Sequence, residues 1–387
     1  MNILWLSGFG ISSTFPNPIC ETKIIEELKK NSDIHIDIAC DGIVENTPVQ
    51  DWKHNPIYMM RRIICWPSYN PDVEKACRKE LLDLLNTKKY DCLFVPHKPF
   101  ETVYAACKAK KKYPNIKLYI YALDPIANEI DANNGIGKHL FLLTRMAEER
   151  VFKTADHIFH MECNRNKYSG VKYSKYADKF SYLDFPLIES RNDSKTTIDK
   201  NVSSIVLLYS GALDDTYRSP EYLLSVFHLV AQKMDVQLHF YAKGNSITKI
   251  EKAEEHNPRI KLFGYVSQNE LERRIEEADF LISIGNKYSE MLPSKLLKYF
   301  MTGKPVIHIK NQEKDSAISY LEKYGLYLVL DENDPIEKSA VKMTQFIQKN
   351  SNERLADESI QSLFVHNTPK WNAEQIRKVL FNGQQIS

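Results

Sequence analysis

Short apolar runs of four or five residues alternate with longer amphipathic stretches along almost the whole chain, and the pattern occurs twice. The first set reads as buried strands at 3–6, 35–39, 93–96, 118–121 and 157–160, with helical periodicity near 21–30, 71–85, 100–112 and 139–154. A polar stretch at 189–203 interrupts the alternation. It restarts with strands at 205–209, 237–241, 260–263, 280–284, 305–307 and 326–330, and with helices at 220–233, 269–277, 336–349 and 371–381. Strands separated by helix-length crossovers pair in parallel, and the helices then cover both faces of the sheet. The expected fold is α/β, with two Rossmann-like domains facing across a cleft. They would span 1–188 and 204–365, joined by a linker at 189–203, with residues 366–387 packing back on the first domain. Ligands of such sheets sit beyond the carboxyl ends of the strands, so the gap between the domains is the expected site.

Charge and cysteine content narrow the function. Lys and Arg total 52 against 50 Asp and Glu, a net charge of +2. A general nucleic-acid binder carries a strong basic excess, so that class is disfavoured. The seven cysteines (Cys20, Cys40, Cys65, Cys77, Cys92, Cys107 and Cys163) match no zinc spacing and are odd in number. They read as buried or incidental thiols of a reducing compartment. The first residues, MNILWLSGFG, lack the charged start and long apolar core of a signal peptide, and no apolar run reaches bilayer length. A cytoplasmic protein is expected.

The most informative segment is 290–309, EMLPSKLLKYFMTGKPVIHI. Pro293-Ser294 opens an amphipathic run carrying Leu296, Leu297, Phe300 and Met301, Gly303 stops it, and Pro305-Val306-Ile307 begins a strand. A strand, a polar loop and a helix start in this order suit an anion, because free backbone amides and the helix dipole favour negative charge. Lys295 falls in the first turn, where the dipole disfavours a cation, so it is a candidate phosphate partner. Strand 205–209 runs into Ser210-Gly211-Ala212 and a loop ending at Arg218. Gly211 allows close approach of backbone to ligand. Lys243, at the end of the next strand, is a further phosphate candidate. No Asp-x-Asp stands where a metal would be held, since Asp214 and Asp215 are adjacent; a mechanism using cations of the protein alone is expected.

In layout the chain resembles glycosyltransferases of the two-domain B-type fold, especially the retaining family numbered four. That family carries a Glu-x7-Glu element followed by a Gly-x-Pro-Val-Ile strand. Glu290 falls at the first acid and Gly303-Lys304-Pro305-Val306-Ile307 at the strand, while Lys298 occupies the place of the second acid. The resemblance implies that Glu290 contacts the donor sugar and that Arg218 pairs with the donor diphosphate. Gly211, Ser294, Lys243 and Lys298 then belong to the nucleotide side. A carboxylate accepts from two ribose hydroxyls and an ammonium only donates, so Lys298 cannot reproduce the family's ribose clamp. The implied reaction moves a sugar from a nucleotide-diphospho-sugar, a UDP-sugar first among them, with no cofactor or metal. The acceptor would be a saccharide, or a lipid-linked or protein-linked group, in polysaccharide or glycoconjugate synthesis.

The first domain is expected to hold the acceptor. Its opening loop, Ser7-Gly8-Phe9-Gly10-Ile11-Ser12-Ser13, lacks the third glycine of a dinucleotide fingerprint, but Gly8 and Gly10 permit close approach. His97 and Asp124 end consecutive strands on the same side. A lysine cluster (Lys108, Lys110, Lys111, Lys112) and the run Arg61-Arg62-Ile63-Ile64-Cys65-Trp66 raise peripheral contact with the inner membrane face. Two other readings compete: a sugar-nucleotide epimerase on the same fold, and a non-catalytic glycosyltransferase-like subunit, which the lysine at position 298 favours.

Overall fold

A computed structural model describes residues 1–13, 16–48, 56–57, 60, 70–127, 135–190, 204–287, 292 and 295–382. The chain divides into two compact units, Met1–Leu187 together with His366–Ser387, and Ile188–Val365.

In the first unit, strands β1 (Asn2–Leu6), β2 (His35–Ala39), β3 (Cys92–Pro96), β4 (Lys117–Ala122), β5 (His157–Met161) and β6 (Phe180–Leu183) form one parallel sheet in the order 2-1-3-4-5-6. Helices α1 (Pro16–Lys29), α2 (Pro71–Thr87), α3 (Phe100–Lys112) and α4 (Gly135–Thr154) make the main crossovers. All five residues of β3 are buried, as a strand covered on both faces requires. Trp5 stacks on Phe94 with ring centres 4.1 Å apart, and Phe159 lies 5.8 Å from Phe94, so neighbouring strands share one aromatic layer.

The second unit repeats the plan. Strands β7 (Ile205–Ala212), β8 (Val236–Lys243), β9 (Ile260–Leu262), β10 (Phe280–Ile284), β11 (Val306–Lys310) and β12 (Tyr327–Asp331) are all parallel, in the order 12-11-10-7-8-9. Helices α5 (Glu221–Ala231), α6 (Ile247–His256), α7 (Gln268–Glu277), α8 (Lys295–Met301), α9 (Ala317–Tyr324), α10 (Ile336–Asn350) and α11 (Asp357–Leu363) surround this sheet. Each sheet reverses its order of growth once, between β1 and β3 in the first unit and between β7 and β10 in the second. Ligands of such sheets bind at that reversal, beyond the carboxyl ends of the strands.

Helix α12 (Pro369–Asn382) returns to the first unit, where it packs on α1, and Arg377 meets Asp33 at 2.7 Å. Buried Ile376 and Leu380 form its inner face.

One expectation fails. Cys40 and Cys77 form a disulfide, with Cα atoms 5.5 Å apart, rather than standing as free thiols. The end of β2 packs beside α2, and a separation of 37 residues hides that neighbourhood from spacing arguments. Cys92, Cys107 and Cys163 are free, and Cys65 lies outside the described residues together with Arg61, Arg62, Ile63, Ile64 and Trp66. No helix among the described residues is long and apolar enough to cross a membrane.

Candidate functional site

Helix α8 decides the geometry of the second unit. Leu296, Leu297 and Phe300 are buried, and Phe300 stacks on Tyr324 at 4.2 Å and on Phe364 at 5.0 Å. Lys295 and Tyr299 are one turn apart and share a face. The Tyr299 hydroxyl accepts the Ser210 backbone N–H at 3.0 Å and bonds the Ser210 hydroxyl at 2.9 Å. That anchor fixes the helix against the end of β7, and Lys295 consequently lies over the next residue. A Cβ on Gly211 would sit 2.9 Å from Lys295 Nζ and push the ammonium aside, and the φ of 144° would itself strain any other residue.

Four cations meet there. Burial, with the charges of Arg218, Lys298 and Lys243, lowers the Lys295 pKa to about 8. Arg218 donates to Asn286 Oδ1 across the reversal between β7 and β10, and its Nε–H is buried without an acceptor among the described residues. Asn286 is held in turn, since its carbonyl accepts from the Gln312 side chain at 2.7 Å. Behind this turn, buried His308 and Asp315 pair at 2.9 Å, and the Asp315 carboxylate packs against Gly285. Lys243, exposed at the end of β8, has its ammonium 4.7 Å from the Tyr265 ring centre. Lys298 is half-buried. Among the described residues none of these four cations has a carboxylate within 4.0 Å. Like charges without counterions among the described residues, one of them with its pKa pushed down, are an arrangement able to take up a polyanion.

The structure thus brings together Arg218, Lys295, Lys243, Lys298 and Gly211. Glu290 and Ser294 lie outside the described residues. Asp214 and Asp215 are engaged in the loop itself: Asp214 accepts the Thr216 N–H at 2.8 Å, and Asp215 pairs with Lys249 at 2.7 Å. No group of three metal-ligating side chains occurs among the described residues. Sequence reasoning missed Tyr299 and Asn286. The four-residue step from Lys295 to Tyr299 was the available signal for the first; nothing local marked the second.

In the first unit the reversal between β1 and β3 carries the glycine loop. A Cβ on Gly8 would meet Pro99 at 2.4 Å, so this loop lies directly against the start of α3. Gly10 donates its N–H to Ser7 O at 3.0 Å. His97, 1% exposed, has both ring nitrogens without hydrogen-bond partners among the described residues, and burial with the Lys98 charge lowers its pKa to about 3. Its Nε2 is 3.9 Å from the Asp124 carboxylate, which Lys98 also approaches at 3.2 Å. Burial alone would raise the Asp124 pKa, but Lys98 and His97 hold it below the ordinary carboxylate range. Beneath the loop, buried Glu21 accepts from Ser7 Oγ at 3.0 Å and Trp5 Nε1 at 3.3 Å, and burial raises its pKa to about 8. Nothing local marks this neutral acid, because its burial depends on where α1 lands.

Residues 204–349 match the family described as glycosyl transferases group 1. Residues 204–349 thus form a glycosyl transferases group 1 domain. A comparison with curated proteins by sequence returns no match. Among solved structures the chain is similar to Anabaena Alr3699/HepE in complex with UDP, at 11% identity and a TM-score of 0.66, covering 99% of this chain and 100% of that one. It is similar to the lipopolysaccharide outer core galactosyltransferase WaaB in its apo form, at 13% identity and a TM-score of 0.61, covering 99% and 100%. A UDP-N-acetylglucosamine 2-epimerase shares the fold as well, at 12% identity and a TM-score of 0.57, covering 99% and 96%. At these identities the likeness is one of fold, the B-type arrangement of two Rossmann-like units.

Proposed function

We propose that this glycosyltransferase transfers a sugar from a nucleotide-diphospho-sugar, with UDP as the carrier. The acceptor is a saccharide, free or linked to lipid or protein, in the building of polysaccharide or glycoconjugate. The observation that carries this reading is the group of four cations around Gly211 with no carboxylate within 4.0 Å among the described residues. A departing diphosphate accumulates negative charge as the glycosidic bond breaks, and cations already in place stabilise that charge without reorganising. Arg218 and Lys295 take this role, with Lys243 and Lys298 on the nucleotide side and Glu290 on the sugar hydroxyls. The protein's own cations suffice, so no divalent ion is required. Retention of anomeric configuration follows the family resemblance. In the first unit Gly8, Gly10, His97 and Asp124 face the acceptor. His97 offers two uncommitted ring nitrogens, neutral at physiological pH, as hydrogen-bond partners for sugar hydroxyls. Contact with an anionic membrane surface through Lys108, Lys111 and Lys112 belongs to the same reading when the acceptor is lipid-linked.

The test is a screen of UDP-, GDP- and dTDP-sugars for transfer and slow hydrolysis, run with and without a chelator. Lys295→Ala should lower turnover by about 100-fold or more, as loss of one charge-stabilising donor does elsewhere. Unchanged turnover would reject its assigned role. Interconversion of the donor sugar without transfer would identify an epimerase. No reaction and no thermal stabilisation with any donor would identify a non-catalytic subunit.

A further inference from the structure

The first unit holds a cavity, of about 570 Å³, at the amino-terminal edge of its sheet, the end away from Gly8 and His97. Four lysines line it, Lys88, Lys89, Lys112 and Lys117, against a single acid, Asp91. Two of the four are already partnered outside the lining: Lys88 with Asp37 at 2.5 Å and Lys117 with Asp156 at 3.5 Å. Asp91 is engaged as well, accepting the Asn2 backbone N–H at 2.6 Å. Lys89 and Lys112 have no carboxylate within 4.0 Å among the described residues. Lysines at helix ends ordinarily complement the dipole and point into water. Here the ends of α2 and α3 place both of them on the rim of one concavity.

The walls are aromatic and fixed. The Tyr90 hydroxyl donates to Asp37 at 2.7 Å and the Tyr113 hydroxyl to Asn86 at 2.5 Å, so neither ring is free to collapse inward. Tyr119 is 7% exposed, and its hydroxyl makes no hydrogen bond among the described residues. Burial, with the neighbouring Cys92 and Asp156, raises its pKa to about 12, which keeps it a donor. A cavity of this size matches the range of roughly 300–1,000 Å³ that small ligands occupy. It combines two uncompensated ammonium groups, rigid rings for an apolar ring face, and a nearly buried hydroxyl.

We propose that this cavity binds a sugar ring bearing a phosphate or a carboxylate, at a site separate from the donor cations of the second unit. The anion lies between Lys89 and Lys112, the ring lies against Tyr90 and Tyr113, and a ring hydroxyl accepts from Tyr119. The choice of a sugar rests on the chain being a glycosyltransferase; the charge and shape do not.

Calorimetric titration of the full chain tests this with glucose 6-phosphate, glucuronic acid, glucose and inorganic phosphate, each with and without saturating UDP. One or both charged sugars should bind with UDP present, and glucose and inorganic phosphate at least about 10-fold more weakly. Binding of only one charged sugar identifies the anion and supports the site. The double variant K89E/K112E alters two exposed side chains and should weaken the charged sugars by about 10-fold or more while leaving UDP affinity unchanged. Tyr119→Phe keeps the ring and should weaken them about 3- to 10-fold by loss of one hydrogen bond. The proposal is overturned if neither charged sugar binds, if UDP displaces them, if inorganic phosphate binds equally well, or if K89E/K112E binds them unchanged. A chain that binds the charged sugars but not UDP would instead count against the donor reading alone.

Discussion

Lys295 is charged in water and only marginally so in this protein. With a pKa of about 8, set by burial and three cationic neighbours, it begins to lose its proton just above physiological pH. A bound diphosphate stabilises the protonated form and raises that pKa, so binding takes up a proton when the pH exceeds 8. UDP affinity should therefore fall as pH rises from 7 to 9.5, by about 10-fold for one lost charge. Calorimetry in two buffers of different ionisation heat would show the proton uptake. The same fall in Lys295→Met would assign the titration elsewhere. Glu21 carries the opposite sign. Its folded pKa of about 8 lies above the ordinary 4.5, so the folded state holds a proton that the unfolded chain releases. That stabilisation is complete below pH 4.5 and is lost as pH rises to 8, at up to about 1.4 kcal/mol per pH unit. Glu21→Gln can still accept from Ser7 and Trp5, and its denaturation midpoint should vary less between pH 5 and 8.5 than the wild type's. Equal slopes would mean that Glu21 ionises normally.

Elements place these residues, and α8 shows how. Its apolar face docks on Tyr324 and Phe364, but its rotation is set by one polar contact, Tyr299 to Ser210. Removing that hydroxyl leaves the buried Ser210 N–H unpaired, which costs about 1–3 kcal/mol. Tyr299→Phe should lower thermal stability accordingly and also weaken UDP binding, because Lys295 rides on the same face. A variant that loses stability but binds UDP as before would separate packing from positioning. Much at this scale was legible in advance. Strands β2 and β10 stand where their apolar runs lie, and α3 spans the periodic stretch 100–112. Strand β6 was not legible, because Phe180–Leu183 is short, lies at a sheet edge and has half-buried Ser181 and Tyr182 between its buried ends, so it offers no apolar run. Helix α6 escaped because its apolar stripe is short, with Ile250 alone buried among ten residues and only Ile247 and Ala253 packed beside it. The proximity of Arg218 to Lys295 could not be read from spacing, since it depends on β10 lying next to β7.

On the scale of the whole molecule, the chain crosses between its units and returns. Its last helix completes the unit in which the first strand lies, with α12 covering α1 through Ala373, Ile376 and Leu380. Deleting the chain from residue 366 onward should lower the melting temperature of the first unit by several degrees, in proportion to the apolar area exposed. Amide hydrogen exchange would show the loss concentrated in α1 and β1, with β7, β8 and β10 protected as before. Uniform loss across both sheets would mean that the last helix supports more than its own unit.

The link between Arg218 and Asn286 closes on a point of chemical identity. A carboxylate at position 286 would grip the guanidinium harder, yet it would also cancel the charge and repel any incoming phosphate. An amide steadies the arm with a neutral oxygen and leaves its positive charge uncancelled. Immobility and reactivity, normally in competition for a cation at a protein surface, are reconciled here by replacing one oxygen with a nitrogen.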